Sequence, residues 1–369
     1  MVSQPCAGTR PDVAVVGGGV IGLSVAWRAA RAGLGRIVVL DPQLAASAPE
    51  QASWAAAGML APVTEVHYGE EPLLALTLAS AAAWPVHAAE LAQAAGGTPE
   101  TFGYRASGTL SVARDGDDMA VLDDLAVYQE KLGLSVQRLR GRECRALEPA
   151  LAPTTRGGLL VEGDHQVDNR ALVLALREAC RRAGVELVPE LVVRLADVDA
   201  GAVVLAAGAV SAALVAELPV RAVKGQLLHL RGPEPLAARN LRGIEAYLVP
   251  RANGRLVVGA TVEERSDRTV TARGVHDLLR AAMELMPDVG ELELVATTAG
   301  LRPGTPDNAP LLGWWDDRVL VATGHYRNGV LLSPITAELV MQLLSSGAAG
   351  PGPELARPFA PDRFVREAT

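Results

Sequence analysis

The sequence predicts a mixed α/β fold in which a doubly wound layer is joined to a second layer built on an antiparallel sheet. Three observations predict it. The β-branched run 12–16, opening on Asp12, ends in three consecutive glycines and is followed by a helix-like stretch, 20–31, the strand–turn–helix order of a βαβ unit. Alternation of helix and strand patterns returns at 169–188 and 319–344. Between these, 227–230, 246–249 and 255–258 are short apolar or alternating runs separated by Pro and Gly, the pattern of antiparallel strands.

The remaining elements follow in order. A second strand, 37–40, ends at Asp41, and 44–51 is a loop rich in Ala, Ser and Pro. Helix is expected over 73–95, a strand over 109–112, and helix again over 117–132, where Met119, Leu122, Leu125 and Val127 hold apolar positions. The stretch 169–183 reads as a helix capped by Asp168 or Asn169 and leading into a strand at 185–188. The uncharged stretch 200–216 reads as strand then helix. Further on come a helix at 275–286, strands at 292–298 and 319–323, a helix over 334–344 opening on Pro334, and a Gly/Pro loop at 347–353.

Composition narrows the class. A chain of 369 residues is long enough for one large or two interleaved domains. With 49% hydrophobic and 21% charged residues it is globular, and at 4% aromatics Ala and Val must fill much of the interior. The net charge of −8 and the absence of a Lys/Arg block exclude a nucleic-acid stripe. Cys6, Cys144 and Cys180 are odd in number and far apart, which suits a reducing compartment and forms neither a disulfide framework nor a zinc pattern. Val13 to Trp27 is uncharged but broken by glycines and preceded by a single Arg10, a poor signal peptide. The stretch 200–216 is shorter than the roughly 20 apolar residues of a spanning helix. A cytoplasmic protein without membrane contact is therefore expected. The histidines form no HExxH spacing and there is no GxSxG, so no metal site and no serine hydrolysis are expected.

The chemistry begins at Gly17, Gly19 and Gly22. Gly17 permits the tight turn, Gly19 lets backbone approach a pyrophosphate, and Gly22 lets the helix pack on the strand. The amides of Val20 and Ile21 then face phosphates at a helix N-terminus. Asp41, at the end of the second strand, stands where an acid accepts from ribose hydroxyls. The bland reading, a glycine turn without ligand, is outweighed by the strand before it, the helix after it and Asp41 in register. No second fingerprint occurs, which disfavours a two-nucleotide reductase. These residues alone leave open a flavoenzyme, a nicotinamide-dependent dehydrogenase and a flavin-binding protein without catalysis.

Four segments carry a resemblance. The run 52–60, Ala-Ser-Trp-Ala-Ala-Ala-Gly-Met-Leu, closely resembles the small-residue segment after the second strand in the glycine oxidases of thiamine synthesis, which group with D-amino-acid and sarcosine oxidases. The resemblance implies passage beside the pyrophosphate and flavin ring, with Ser53 as a phosphate ligand and Ala57, Gly58 and Met59 in close backbone contact. The run 299–307 resembles the family's arginine–proline segment, which implies that Arg302 grips the substrate carboxylate. The run 246–250 matches the strand whose tyrosine, here Tyr247, touches that carboxylate. The run 324–329 resembles the signature under the flavin, which implies cofactor contacts from His325, Tyr326, Arg327, Asn328 and Gly329. An adenine contact falls near Val192, although between 192 and 203 there is hardly room for the β-hairpin expected in the crossover.

Chemistry adds roles. Oxidising an α-amino acid to an imine needs Cα–H aimed at flavin N5, and a planar guanidinium fixes that orientation where an ammonium does not. Arg302 is the candidate, against the bland alternative of a surface or core ion pair. Tyr247 is a second donor or simply a strand aromatic. Arg327 is a positive guide for an anionic substrate or part of the flavin wall. Hydride transfer needs no base at carbon, so His325 is assigned to the wall, with a packed turn histidine as the alternative. The amides after Gly329, through Val330 and Leu331, are placed to stabilise negative charge on a reduced flavin. No cysteine follows Cys180, so FAD is expected to be non-covalent.

The family implies a discontinuous FAD-binding domain, 11–75, 141–215 and 297–365, and a substrate domain, 76–140 and 216–296. It also implies oxidation of glycine by O2 to glyoxylate, ammonia and hydrogen peroxide through an imine, with thiazole synthase as a partner and a homo-oligomeric state. A broader sarcosine or small D-amino-acid specificity is the first alternative.

Overall fold

Strand pairing divides the molecule into two large sheets. The computed structural model describes residues 10–366, so Cys6 lies outside the described residues. Val13–Val16 sits inside a six-stranded sheet between Ile37–Leu40 and Ala202–Leu205 and runs parallel to both. Its four residues are all buried, as a parallel strand covered on both faces requires. Val319–Thr323 and Glu186–Val188 extend the parallel sheet, and Leu311–Trp314 closes one edge antiparallel.

Four helices, Val20–Arg31, Glu71–Ala95, Asn169–Arg182 and Gly329–Ser346, share one core on a face of this sheet, built around Trp27, Trp84, Leu172 and Leu339. The opposite face buries Ala14, Val203 and Val321 against Leu195, Val215, Leu218 and Val220 from the connection after the strands. Glu71–Ala95 and Gly329–Ser346 are long and apolar enough to cross a bilayer, yet 44% and 61% of their apolar windows are buried in the fold. They pack on one another, and Trp84 Nε1 and Ser80 Oγ both donate to the Leu331 carbonyl, at 2.8 and 2.6 Å. Asp168 caps Asn169–Arg182 as expected, accepting from the Arg170 and Ala171 amides.

The second sheet has eight strands, in the order Glu293–Gly304, Arg221–Arg231, Arg255–Gly259, Tyr247–Pro250, Asn240–Arg242, Thr109–Ala113, Gly157–Val161 and Gln137–Arg140. Every pairing is antiparallel except that of Asn240–Arg242 with Thr109–Ala113. Ala272–Leu285 covers one face through Leu278, Ala281 and Leu285.

The structure corrects several expectations. The strand expected at 292–298 runs to Gly304 and so carries Arg302. Gly300, Pro303 and Gly304 argue locally against a strand, but this is the edge strand, where a residue lacking an N–H is tolerated. The last helix starts at Gly329, not Pro334. Proline there leaves the Val330 carbonyl without its helical donor, and Ser333 Oγ fills the gap at 2.9 Å. Gly157–Val161, C-terminal to position 141, pairs with Thr109–Ala113 in the second sheet. Conversely, 76–95 belongs to a helix packed in the first core. Apolar strand patterns reveal burial but not which sheet receives them. The connection 189–201 holds a single 3-10 turn, Leu195–Asp197, and no hairpin.

Candidate functional site

One cavity of ≈ 600 Å³ runs between the two sheets, from the Gly17–Gly19 turn to Tyr247 and Arg302. It falls within the size of small-molecule and cofactor sites. All the site residues expected from sequence line it, except Gly22 and Leu331. Gly22 lies behind the wall: a Cβ there would stand 1.9 Å from the Gly17 carbonyl oxygen, so its part is close packing of helix on turn. Leu331 is buried in the helix core, and its carbonyl is taken by Ser80 and Trp84.

The end of the cavity at the Gly17–Gly19 turn is shaped by backbone. Gly17 has φ +116°, and a Cβ there would lie 2.3 Å from the Ala206 carbonyl oxygen, so glycine is required for both reasons. The Gly18 amide donates to Asp41 Oδ2 at 2.7 Å, and Asp41 also accepts from the Gln43 amide and from Gln51 Nε2. The Asp41 carboxylate is thereby fixed on the cavity wall. Ser53 places its hydroxyl 3.0 Å from the Val20 amide, at the N-terminus of a 12-residue helix where the dipole favours an anion. At Gly208 a Cβ would meet nothing within 4 Å, and at Gly19 it would meet Ser53 Oγ alone, at 3.2 Å. Such bare backbone beside a helix N-terminus and a fixed acid fits a dinucleotide. Leu191 and Val192 line the same end.

The middle of the cavity is walled by Thr323 and by 325–330. His325 is buried, with Nε2 3.0 Å from Thr336 Oγ1, and burial pushes its pKa down to about 3. It is a neutral wall residue. Tyr326 holds φ +46° and donates its amide to the Pro303 carbonyl at 2.9 Å, which ties this turn to the strand carrying Arg302. The helix Gly329–Ser346 presents its first residues, Gly329 and Val330, to the cavity.

The far end gathers charge. Arg302 Nη1 donates to the carbonyls of Thr261 and Lys224, at 3.2 and 3.4 Å. Among the described residues no carboxylate within salt-bridge distance pairs with it. Two strand glycines make the room: a Cβ at Gly225 would lie 2.3 Å from Arg302 Nη2, and one at Gly259 would lie 2.5 Å from the Tyr247 ring. The Tyr247 phenol is pushed up by burial, opposed by the Arg302 guanidinium beside it.

Sequence reasoning missed four residues here: Gly225, Gly259, Glu65 and Arg242. Both glycines flank strands expected from sequence, at 227–230 and 255–258, and a glycine at such a place marks close approach, which was the available signal for the first two. Arg242 is the cross-strand partner of Tyr247, a pairing visible only once register is known. Its guanidinium is hydrogen-bonded to Glu65. Burial raises the Glu65 carboxyl, but Arg242, Arg327 and His67 together outweigh it and hold the group below its usual range. Arg327 lies 3.3 Å from His67 Nε2, 4.0 Å from Glu65 and over the Tyr326 ring. The site thus offers one guanidinium committed to carbonyls and two shared with one acid. Such a set can fix a small carboxylate.

A family model described as FAD dependent oxidoreductase matches residues 12–343. A glycine oxidase of Geobacillus kaustophilus is 36% identical across 91% of this chain and 93% of that enzyme. The bifunctional protein ThiO/ThiG of Synechocystis is 37% identical across 97% of this chain, which spans about half, 54%, of that relative's length. The crystal structure of the Geobacillus kaustophilus glycine oxidase superposes with a TM-score of 0.87, covering 96% of this chain and 99% of that one at 35% identity.

Proposed function

The chain belongs to the FAD dependent oxidoreductase family, with FAD as its cofactor, and from that premise we propose that it oxidises glycine and other small amines. The overall change is glycine + O2 + H2O giving glyoxylate, ammonia and hydrogen peroxide. When bound, FAD would supply the two-electron acceptor for this oxidation, and water would hydrolyse the product imine to glyoxylate and ammonia.

The observation that carries this reading is Arg302: a guanidinium on the cavity wall, held by two carbonyls, without a carboxylate of its own among the described residues. A substrate carboxylate is the missing partner, and a planar donor pair fixes its orientation. Tyr247 donates beside it. Arg327 and Arg242, shared with Glu65, add positive potential that draws an anion into an otherwise acidic protein. His325, neutral and bonded to Thr336, shapes the wall and takes no proton. The N-terminal turn at Gly329 and Val330 favours negative charge on the reduced cofactor.

In this reading Gly17, Gly19, Val20, Ile21, Asp41 and Ser53 hold the nucleotide. Ala57, Gly58, Met59, Tyr326 and Asn328 border the ring system, and Val192 borders the adenine. The six-stranded sheet with its helices is the FAD-binding domain and the eight-stranded sheet the substrate domain. We also assign delivery of the product to thiazole synthesis for thiamine, a cytoplasmic location and a homo-oligomeric state. The joined ThiO/ThiG relative supports the first of these. Peroxide release from glycine, sarcosine, D-alanine and D-valine at equal concentration tests the substrate class. Glycine and sarcosine should lead because a tight pocket rejects bulk by strain; preference for D-valine would overturn the glycine assignment.

A further inference from the structure

Arg302 is held from behind by a charged cluster on the opposite face of its sheet. On Arg221–Arg231, Gly225 and Leu227 line the cavity, so alternation along the strand turns Lys224 and Gln226 away from it. Lys224 is fully buried (0%), with Nζ 3.1 Å from Asp267 Oδ1 and 3.4 Å from Glu263 Oε2. Gln226, also buried, donates to Glu263 Oε1 at 2.7 Å and accepts from the Thr271 amide at 2.8 Å. Lys224 and Glu263 exchange both backbone hydrogen bonds, at 2.8 and 3.0 Å.

This bridge carries a register change. Leu227 faces Gly259 while Lys224 faces Glu263, so one strand spends an extra residue between the two pairings, the condition for a bulge. Thr261 lies inside it. Its hydroxyl accepts from the Gln226 amide at 2.9 Å and donates to Glu263 Oε1 at 2.7 Å, and its carbonyl is the nearer acceptor of Arg302 Nη1, at 3.2 Å. Lys224 supplies the other acceptor through its own carbonyl.

We propose that Lys224 is a positioning residue, which clamps Glu263 and Asp267 so that the bulge holds the Thr261 carbonyl where it aims Arg302 at the substrate carboxylate. The inference rests on the reading of Arg302 given above. A cation buried against two partly exposed acids is weak evidence for stability, whereas its place behind Arg302, which alone among the arginines lining the cavity pairs with no acid among the described residues, gives it a use. Removing the ammonium takes away the one group that ties Glu263 to Asp267, whose side chains are 24% and 36% exposed; Glu263 then keeps only Gln226 and Thr261 on Oε1, and Asp267 turns to Arg265 and the Thr269 amide, which loosens the bulge.

The test uses the FAD-loaded enzyme and the variants Lys224→Met, Lys224→Arg and Asp267→Asn. Flavin content, glycine KM and kcat, and the Kd of acetate read from perturbation of the flavin spectrum are measured for each. Lys224→Met should keep its FAD, raise KM and the acetate Kd by about tenfold, the loss of roughly one charged hydrogen bond, and hold kcat within about twofold. Lys224→Arg should recover part of that affinity. If Lys224→Met does not retain FAD, Asp267→Asn decides, with a rise of about threefold expected in both constants. Acetate Kd and KM within twofold of wild type in the FAD-loaded variant overturn the proposal, as does an equal loss of kcat at unchanged KM. A wild-type enzyme that neither turns over glycine nor responds to acetate overturns the Arg302 reading itself, and the proposal with it.

Discussion

Gly225→Ala places one methyl group against the guanidinium on which the account depends. The added Cβ would lie 2.3 Å from Arg302 Nη2, 2.4 Å from Nη1 and 2.5 Å from Cζ. Non-bonded heavy atoms settle at about 3.5–4.0 Å, so the guanidinium must withdraw by about 1 Å. The backbone need not change, since Gly225 is not among the positive-φ residues and its strand pairing with Gly300 uses main chain. A misplacement of about 1 Å costs on the order of 10²-fold in an oriented reaction. Glycine kcat/KM should fall by about 10- to 10²-fold with FAD content unchanged, measured by peroxide release and by absorbance near 450 nm. A fully flavinated variant within about threefold of wild type would refute the placement of Arg302 over Gly225 as the substrate anchor.

Three further expectations follow from the same geometry. Arg302→Ala should lose on the order of 10²- to 10⁴-fold in kcat/KM with flavin retained, and Arg302→Lys should recover part, because an ammonium keeps the charge but not the planar fork; turnover within threefold in steady-state assays would remove the anchor. FAD should leave the protein on acid precipitation, since no cysteine follows Cys180 and both described cysteines are buried; a yellow pellet would contradict this. Acid should destabilise the fold through His87 and His325, whose pKa values burial pushes down to about 3. Each stays neutral when folded but takes a proton near pH 6.5 when unfolded. Their contribution is therefore complete above about 6.5 and falls by about 1.4 kcal/mol per histidine per pH unit as pH drops toward 3. Thermal melts from pH 7 to 4.5 should show this decline, and it should shrink in His87→Leu.

The end of the cavity at the Gly17–Gly19 turn was legible in sequence because its pattern is local. Gly17, Gly19, Gly22 and Asp41 lie on one strand–turn–helix–strand unit, and their spacing alone carries the geometry. Arg302, Tyr247 and the 324–329 turn were legible as resembling segments, each contiguous in the chain. What could not be read is what the second sheet assembles across strands. Arg242 meets Tyr247, and Gly225 meets Arg302, through register that no single segment contains. Glu65 lies far from Arg242 and Arg327 in the chain and reaches them only in the folded state. The strand through Arg302 was expected to stop short because Gly300, Pro303 and Gly304 argue locally against a strand, and its long partner, Arg221–Arg231, overrides them.

Anaerobic mixing of the purified, FAD-loaded protein with glycine tests the central claim most directly. Glycine should bleach the flavin absorbance near 450 nm without oxygen, and readmitted air should restore it with release of hydrogen peroxide, one equivalent for each glyoxylate formed. Absorbance that stays unchanged at saturating glycine and sarcosine would contradict the account.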